Sequence, residues 1–446
     1  MRAQLLKYWE RVRSSFWFLP SLMAAMAVGL SFFTVALDQS VTQEWLHRLD
    51  WVYNGGTEGA SAVLQTIAGS MITIAGVVFS LTLVALSLAS SQFGPRLLRN
   101  FMRDTTNQLV LGTFIATFLY CLLVLRTIRR EEGDVFVPHL SVTLGVLFAL
   151  ASLWVLIYFI HHVSVSIQAD EVIARVAAEL DETMGRLFPE QVGKDADDVT
   201  DRMDRPADTA PRIVGAAHDG YLQIVDVEAL MNFAQETDTV LTLARRPGHY
   251  IVQGMPLLHA APADRVPDDM QQRLQAAFVL GNQRTAAQDV EFAIQQLVEI
   301  ATRALSPGIN DPYTAIACVD RLGSVFCRLA QRRFPGPFRY DDDRQLRIVA
   351  TPQTFSELAD NAFNPLRNYA RSSVGVTVRL LESIAVVASV ATRTADRATL
   401  ERHADMIARG AAEALPEEAD RRAVEVRHHA VRQALSSMAS RLPAVS

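Results

Sequence analysis

Six hydroxyl side chains, Thr66, Ser70, Thr73, Ser80, Ser87 and Ser91, recur at helical spacing inside an otherwise apolar run. At about 100° per residue they share one stripe, broken by Val77 and Val84 and flanked by Gly69 and Gly76. Such a stripe has two uses in a membrane helix. Hydroxyls can stand in for water along a pore wall, with Val77 and Val84 as dewetting constrictions. The same small polar residues also let membrane helices approach closely, which is the commoner use. The run ends at Ser91, Gly94 and Pro95, and Arg96, Arg99 and Arg103 follow. These three arginines suit lipid headgroups; around a pore mouth they would favour anions.

Other candidate groups are sparse. Ser306-Pro-Gly-Ile-Asn-Asp-Pro-Tyr-Thr314 is the densest turn of the C-terminal half. Asp311 before Pro312 has the form of an N-cap with proline in the first helical position. Asn310, Asp311, Tyr313 and Thr314 also present polar groups near a helix N-terminus, where a ligand or subunit contact could form. The adjacent histidines His161-His162 and His428-His429 point about 100° apart on a helix and chelate poorly. No metal-ligand spacing, phosphate loop or nucleophile elbow occurs, and the only lysines are Lys7 and Lys194. Cys121, Cys318 and Cys327 form no C-x-x-C pair. The expectation is a non-enzyme with no cofactor and no metal. The net charge of −6 argues against a nucleic-acid partner.

The elements that hold these residues begin in lipid. From Gly59 to Pro95 there is no Asp, Glu, Lys, Arg or His, more than the roughly 20 residues that cross a bilayer. Four spans are expected at about 16–37, 62–90, 108–125 and 139–160, within a transmembrane domain of residues 1–165. Arg2, Lys7, Arg11 and Arg13 precede the first span, the first loop carries only Arg48, and the second carries Arg96, Arg99 and Arg103. By the positive-inside rule both termini face the cytoplasm. Arg126, Arg129 and Arg130 in the third loop run against that orientation. Trp9, Trp17, Trp45, Trp51 and Tyr53 suit interface anchoring.

Residues 166–209 read as an amphipathic helix, Ser166 to Phe188, continuing the fourth span, and then an Asp-rich linker. Residues 210–262 read as a small β-rich module, with strands at Ile213 to Ala216, Tyr221 to Val225, Val240 to Leu243 and Tyr250 to Val252 and a helix from Val227 to Ala234. Its Arg246-Pro-Gly-His-Tyr turn resembles those of lipoyl and biotinyl domains, but the lysine those domains modify is missing. Residues 268–446 read as helical, with a strong amphipathic helix from Thr285 to Leu305, another from Pro312, a strand-like piece at Leu346 to Ala350, and four further helices. One of these, Val376 to Thr392, is apolar on nearly all sides and should be buried or at a subunit contact. The fold class is thus a four-helix α-helical integral membrane protein followed by a cytoplasmic α+β region.

Several long phrases carry a resemblance. Ser70-Met-Ile-Thr-Ile-Ala-Gly-Val-Val-Phe-Ser80, the stretch from Leu88 to Asp104, Arg246-Pro-Gly-His-Tyr-Ile-Val252 and Arg303-Ala-Leu-Ser-Pro-Gly-Ile-Asn-Asp-Pro-Tyr-Thr-Ala315 are similar to a bacterial family of predicted membrane proteins, domain of unknown function 2254. The resemblance spans about residues 10–390. It implies an inner-membrane protein with N-terminal spans and a cytoplasmic C-terminal part, and it carries no functional residues. Two functions follow as expectations. One is a homo-oligomeric channel or conduit lined by the second span, with a cytoplasmic vestibule or gate. The other is a membrane-anchored sensor or scaffold presenting its cytoplasmic part to partners.

Overall fold

The computed structural model describes residues 17–40, 53, 55–94, 104–131, 134–188 and 211–439. The chain divides into two compact units, Met1–Glu171 and Val172–Ser446.

The first unit holds four helices long and apolar enough to cross a membrane: α1 (Phe18–Ser40), α2 (Thr57–Phe93), α3 (Thr105–Leu125) and α4 (His139–Ser166). The third loop carries a short antiparallel hairpin, β1 (Arg129–Glu131) with β2 (Asp134–Phe136), which the sequence pattern did not reveal. α3 packs against each of the other three helices. Its Tyr120, Cys121 and Val124 meet Leu64 and Ala68 of α2, and its Val110 and Phe114 meet Met71, Ala75 and Val78 of α2 and Phe159 of α4. Polar ties close one end. Asp38 of α1 accepts hydrogen bonds from the Leu140 and Ser141 amides at 2.9 Å and from the Ser141 hydroxyl at 2.6 Å. A carboxylate from a neighbouring helix thereby satisfies the first amides of α4. His139 Nδ1 donates to the Tyr53 carbonyl at 2.7 Å, and the Tyr120 hydroxyl lies 2.9 Å from Thr34.

α4 does not run on through Phe188. It ends at Ser166, and a bend at Ile167 and Gln168 precedes α5 (Ala169–Leu187). Ser164 and Ser166 donate to carbonyls of their own last turn, and Asp170 and Glu171 occupy the first turn of α5, where negative charge is favoured.

In the second unit two sheets enclose one core. β3 (Arg212–Gly215), β7 (Pro256–Ala261), β5 (Val240–Leu243), β10 (Leu346–Val349) and β9 (Phe338–Tyr340) form one; β6 (Tyr250–Ile251), β4 (Gly220–Val225) and β8 (Phe278–Gly281) form the other. Val214, Leu241, Leu258 and Ile348 pack against Leu222, Val225, Ile251 and Leu280, with Leu230 and Phe233 of α6 (Val227–Thr237). Strands from 278–281 and 338–349 therefore complete sheets begun by residues 210–262. β8 and β9 escaped the sequence reading because they are only four and three residues long, and β7 because its Pro-Leu-Leu-His-Ala-Ala lacks alternation. A single-turn α7 (Gln271–Gln275) precedes β8.

Six helices follow: α8 (Val290–Ala304), α9 (Pro312–Gln331), α10 (Phe355–Ala370), α11 (Val374–Val390), α12 (Thr394–Ala414) and α13 (Glu418–Ala439). α8 starts at Val290 rather than Thr285, because the Asp289 carboxylate accepts the Phe292 amide at 3.0 Å and caps it there. The apolar helix α11 packs between α9 and α13, burying Val376, Leu380, Leu381, Ile384 and Val387 and leaving Val386 57% exposed. A Cβ at Gly323 of α9 would lie 2.3 Å from Ser383 Oγ, so a larger residue at the α9–α11 crossing would force the Ser383 hydroxyl to turn away.

Candidate functional site

α2 packs through one face only. Ala60, Leu64, Ala68, Met71, Ala75 and Val78 are buried, following the 3–4 spacing of a helix stripe. The opposite face carries the hydroxyls, and there Thr66, Ser70, Thr73, Val77, Ser80, Val84, Ser87 and Ser91 are all exposed. Val77 is 55% and Val84 65% exposed. A Cβ added at Gly69 or Gly76 would meet nothing within 4 Å. Packing against the chain's other described spans therefore does not account for the stripe. Thr66 donates to the Ala62 carbonyl at 2.7 Å and Thr73 to Gly69 at 2.8 Å. These hydroxyls satisfy themselves on their own helix and leave their oxygen lone pairs facing outward.

Ser91 lies on the same exposed face, and its hydroxyl donates to the Leu88 carbonyl at 2.8 Å. Arg96, Arg99 and Arg103 lie outside the described residues, as do Trp9, Trp45 and Trp51. At the level where α3 begins, Asp104 does two jobs. It caps α3 through the Thr106 amide at 2.9 Å and pairs with His162 Nε2 of α4 at 2.7 Å. The Tyr158 ring stacks on His162. Spacing could not show this pair, since its members are 58 residues apart.

The Ser306–Thr314 turn is organised by capping. Asp311 accepts the Tyr313 and Thr314 amides at 3.1 and 3.2 Å and the Thr314 hydroxyl at 2.5 Å. Asn310 adopts the left-handed conformation at φ 50°, and Tyr313 projects 81% exposed. The carboxylate is consumed by the helix start, as its spacing before Pro312 indicated.

A second polar cluster went unnoticed in the sequence. Around the Arg246-Pro247-Gly248 turn, Arg284 donates to both oxygens of buried Asp289 at 2.8 and 2.9 Å and to Gln295 at 2.9 Å. Arg246 donates to Glu357 at 2.9 Å and lies 3.8 Å from Glu291. Two guanidiniums, Arg246 and Arg284, and three carboxylates, Asp289, Glu291 and Glu357, meet there. Burial, then the charges of Arg246, Arg245 and Arg284, hold His249 below its ordinary range. These pairs join the β-rich part to the N-terminal turns of α8 and α10. Their signal in sequence was only arginine beside a Pro-Gly turn, which is common. Among the described residues no group of three His, Cys, Asp or Glu side chains could hold a metal.

Residues 13–386 match the family described as predicted membrane protein, DUF2254. The chain belongs to this family. Similar proteins include the uncharacterized protein MT1328 of Mycobacterium tuberculosis strain CDC 1551 and the uncharacterized protein Mb1321c of Mycobacterium bovis. Each is 34% identical over 423 residues, covering 92% of this chain and 79% of the relative. No solved structure matches. The family's description gives a membrane protein, in keeping with the four apolar helices among the described residues, and names no activity.

Proposed function

We propose that copies of this chain assemble a membrane conduit for small ions or solutes, with α2 as its wall. One observation carries the reading: the hydroxyl face of α2 is uncovered while its opposite face is buried. In a ring of copies that face turns to a wet axis, where exposed oxygens solvate a passing solute and Val77 and Val84 narrow the path. Arginine placement in the N-terminal arm and the first two loops supports a cytoplasmic side for both termini and the second unit in a bacterial inner membrane, while Arg126, Arg129 and Arg130 of the third loop run against it. There the second unit would serve as a vestibule or gate.

The test is reconstitution of the purified full chain in liposomes. Wild type should pass ions under voltage or tension, and Ser80→Trp should block the flux while helix content and detergent elution stay unchanged. A wild-type chain without flux, or a Ser80→Trp variant that conducts normally, overturns the proposal. A chain that carries no current yet retains a soluble partner in pull-down would act as a membrane-anchored scaffold instead.

A further inference from the structure

Inside the first unit the buried polar side chains are matched to partners, with one exception. Thr34 and Tyr120 share a hydrogen bond at 2.9 Å, and Tyr120 donates to the Ser141 carbonyl at 3.2 Å. Ser141 donates to Asp38, and Thr117 lies 3.2 Å from Ser152. Asn107 breaks the pattern. It is 7% exposed, and its Oδ1 is the one buried side-chain polar atom of this unit without a hydrogen bond among the described residues. Where lipid replaces water, an unmatched amide oxygen is costly. A hydrogen-bond donor or a cation would satisfy it.

The position of Asn107 narrows the choice. With Asp104 as N-cap of α3, Asn107 is the third helical residue, whose side chain reaches back to the cap in a capping box. Here only half of that box exists. Asp104 Oδ1 accepts the Thr106 amide at 2.9 Å, but asparagine is one methylene shorter than the glutamine or glutamate that completes the motif. Side chains at these two positions share one side of the first turn, which sets the unmatched oxygen beside the Asp104 carboxylate. That carboxylate is itself 10% exposed, and its Oδ2 lies 2.7 Å from His162 Nε2. His162 stands four residues before the end of α4, so the negative end of that helix dipole lies close by.

We infer that Asp104 and Asn107 hold a monovalent alkali cation at this end of the four-helix unit, with His162 positioning the carboxylate. Charge balance selects the ligand. One carboxylate offsets one positive charge, whereas a divalent ion would keep an excess charge in a low-dielectric setting. The free ligands are hard oxygens, and His162 Nε2 is committed to Asp104, so a transition metal finds no nitrogen or sulfur set. The site lies on the covered side of α3 and not on the exposed face of α2. It therefore stands apart from the conduit reading and requires no ion flow.

Thermal unfolding of the purified full chain in detergent tests it, with sodium, potassium or lithium chloride set against choline chloride at equal ionic strength. At least one alkali ion should raise the wild-type midpoint by about 3 °C or more over choline. Asn107→Leu should shrink that difference below about 1 °C. Asp104→Asn would also disturb the helix cap, so Asn107→Asp supplies the second arm. A second carboxylate there should lower the midpoint in choline and make the shift on adding the cation about twofold larger, because affinity follows ligand charge. A wild-type midpoint equal in all four salts overturns the site and leaves water as the partner of Asn107. An Asn107→Leu chain that keeps the full shift overturns it too, as does an Asn107→Asp chain indifferent to the cation. A cation shift in a chain without flux would leave the site standing and remove the conduit.

Discussion

α2 and the arginine cluster around Gly248 place polar chemistry in opposite circumstances. In the cluster, Arg246 and Arg284 are matched within the same chain by Asp289, Glu291 and Glu357. Removing Arg284 leaves the buried Asp289 carboxylate unpaired, so that part of the cluster answers to the stability of one chain. On α2 the hydroxyls are neutral, bonded to their own helix where Thr66 and Thr73 are concerned, and uncovered. Charge matched within the chain belongs to the fold of one chain; the neutral hydroxyl face of α2 is left exposed by that fold.

That contrast can be broken by experiment. Arg284→Ala strands the Asp289 carboxylate, whose side chain is 3% exposed, and should lower the stability of the full chain by about 3–5 kcal/mol, read from thermal unfolding. A neutral result would mean the cluster is not holding the fold. His403 is fully buried beside Phe363, and burial holds its pKa down to about 4, against 6.5 ordinarily. Between those values the unfolded chain binds the proton and the folded chain does not. Stability should therefore fall as pH drops from 6.5 towards 4, by up to about 3 kcal/mol, and His403→Asn should flatten that part of the profile. Gly248 has φ 95°, and a Cβ there would sit 2.3 Å from Asp289 Oδ2. Gly248→Ala should cost about 1–3 kcal/mol in the same measurement. Ser87→Ala, on the uncovered face, should change single-chain stability by less than about 0.5 kcal/mol. A larger loss there would show that the face is covered within the chain and would erase the comparison.

Much of this was legible beforehand. The charge-free run fixed α2 as a membrane helix, though its helical end lies at Phe93, three residues beyond the expected 62–90. Asp311 before Pro312 announced its cap, and the strands of 220–225 and 240–243 followed from β-rich runs between turns. Less visible were pairs far apart in sequence. Asp104 meets His162, Asp38 caps α4 and Arg246 reaches Glu357 because folding brings them together; no local spacing encodes it. β10 likewise pairs in parallel with β5 across about a hundred residues.

By itself the sequence determined which segments are too apolar for water and which side chains share a face of α2, because both depend only on residue type and helical pitch. Tertiary structure decided which of those faces is used. The chain's own helices cover Leu64, Ala68 and Met71 and leave Ser70, Thr73 and Ser80 bare, and only packing geometry could distribute cover between two faces of one helix.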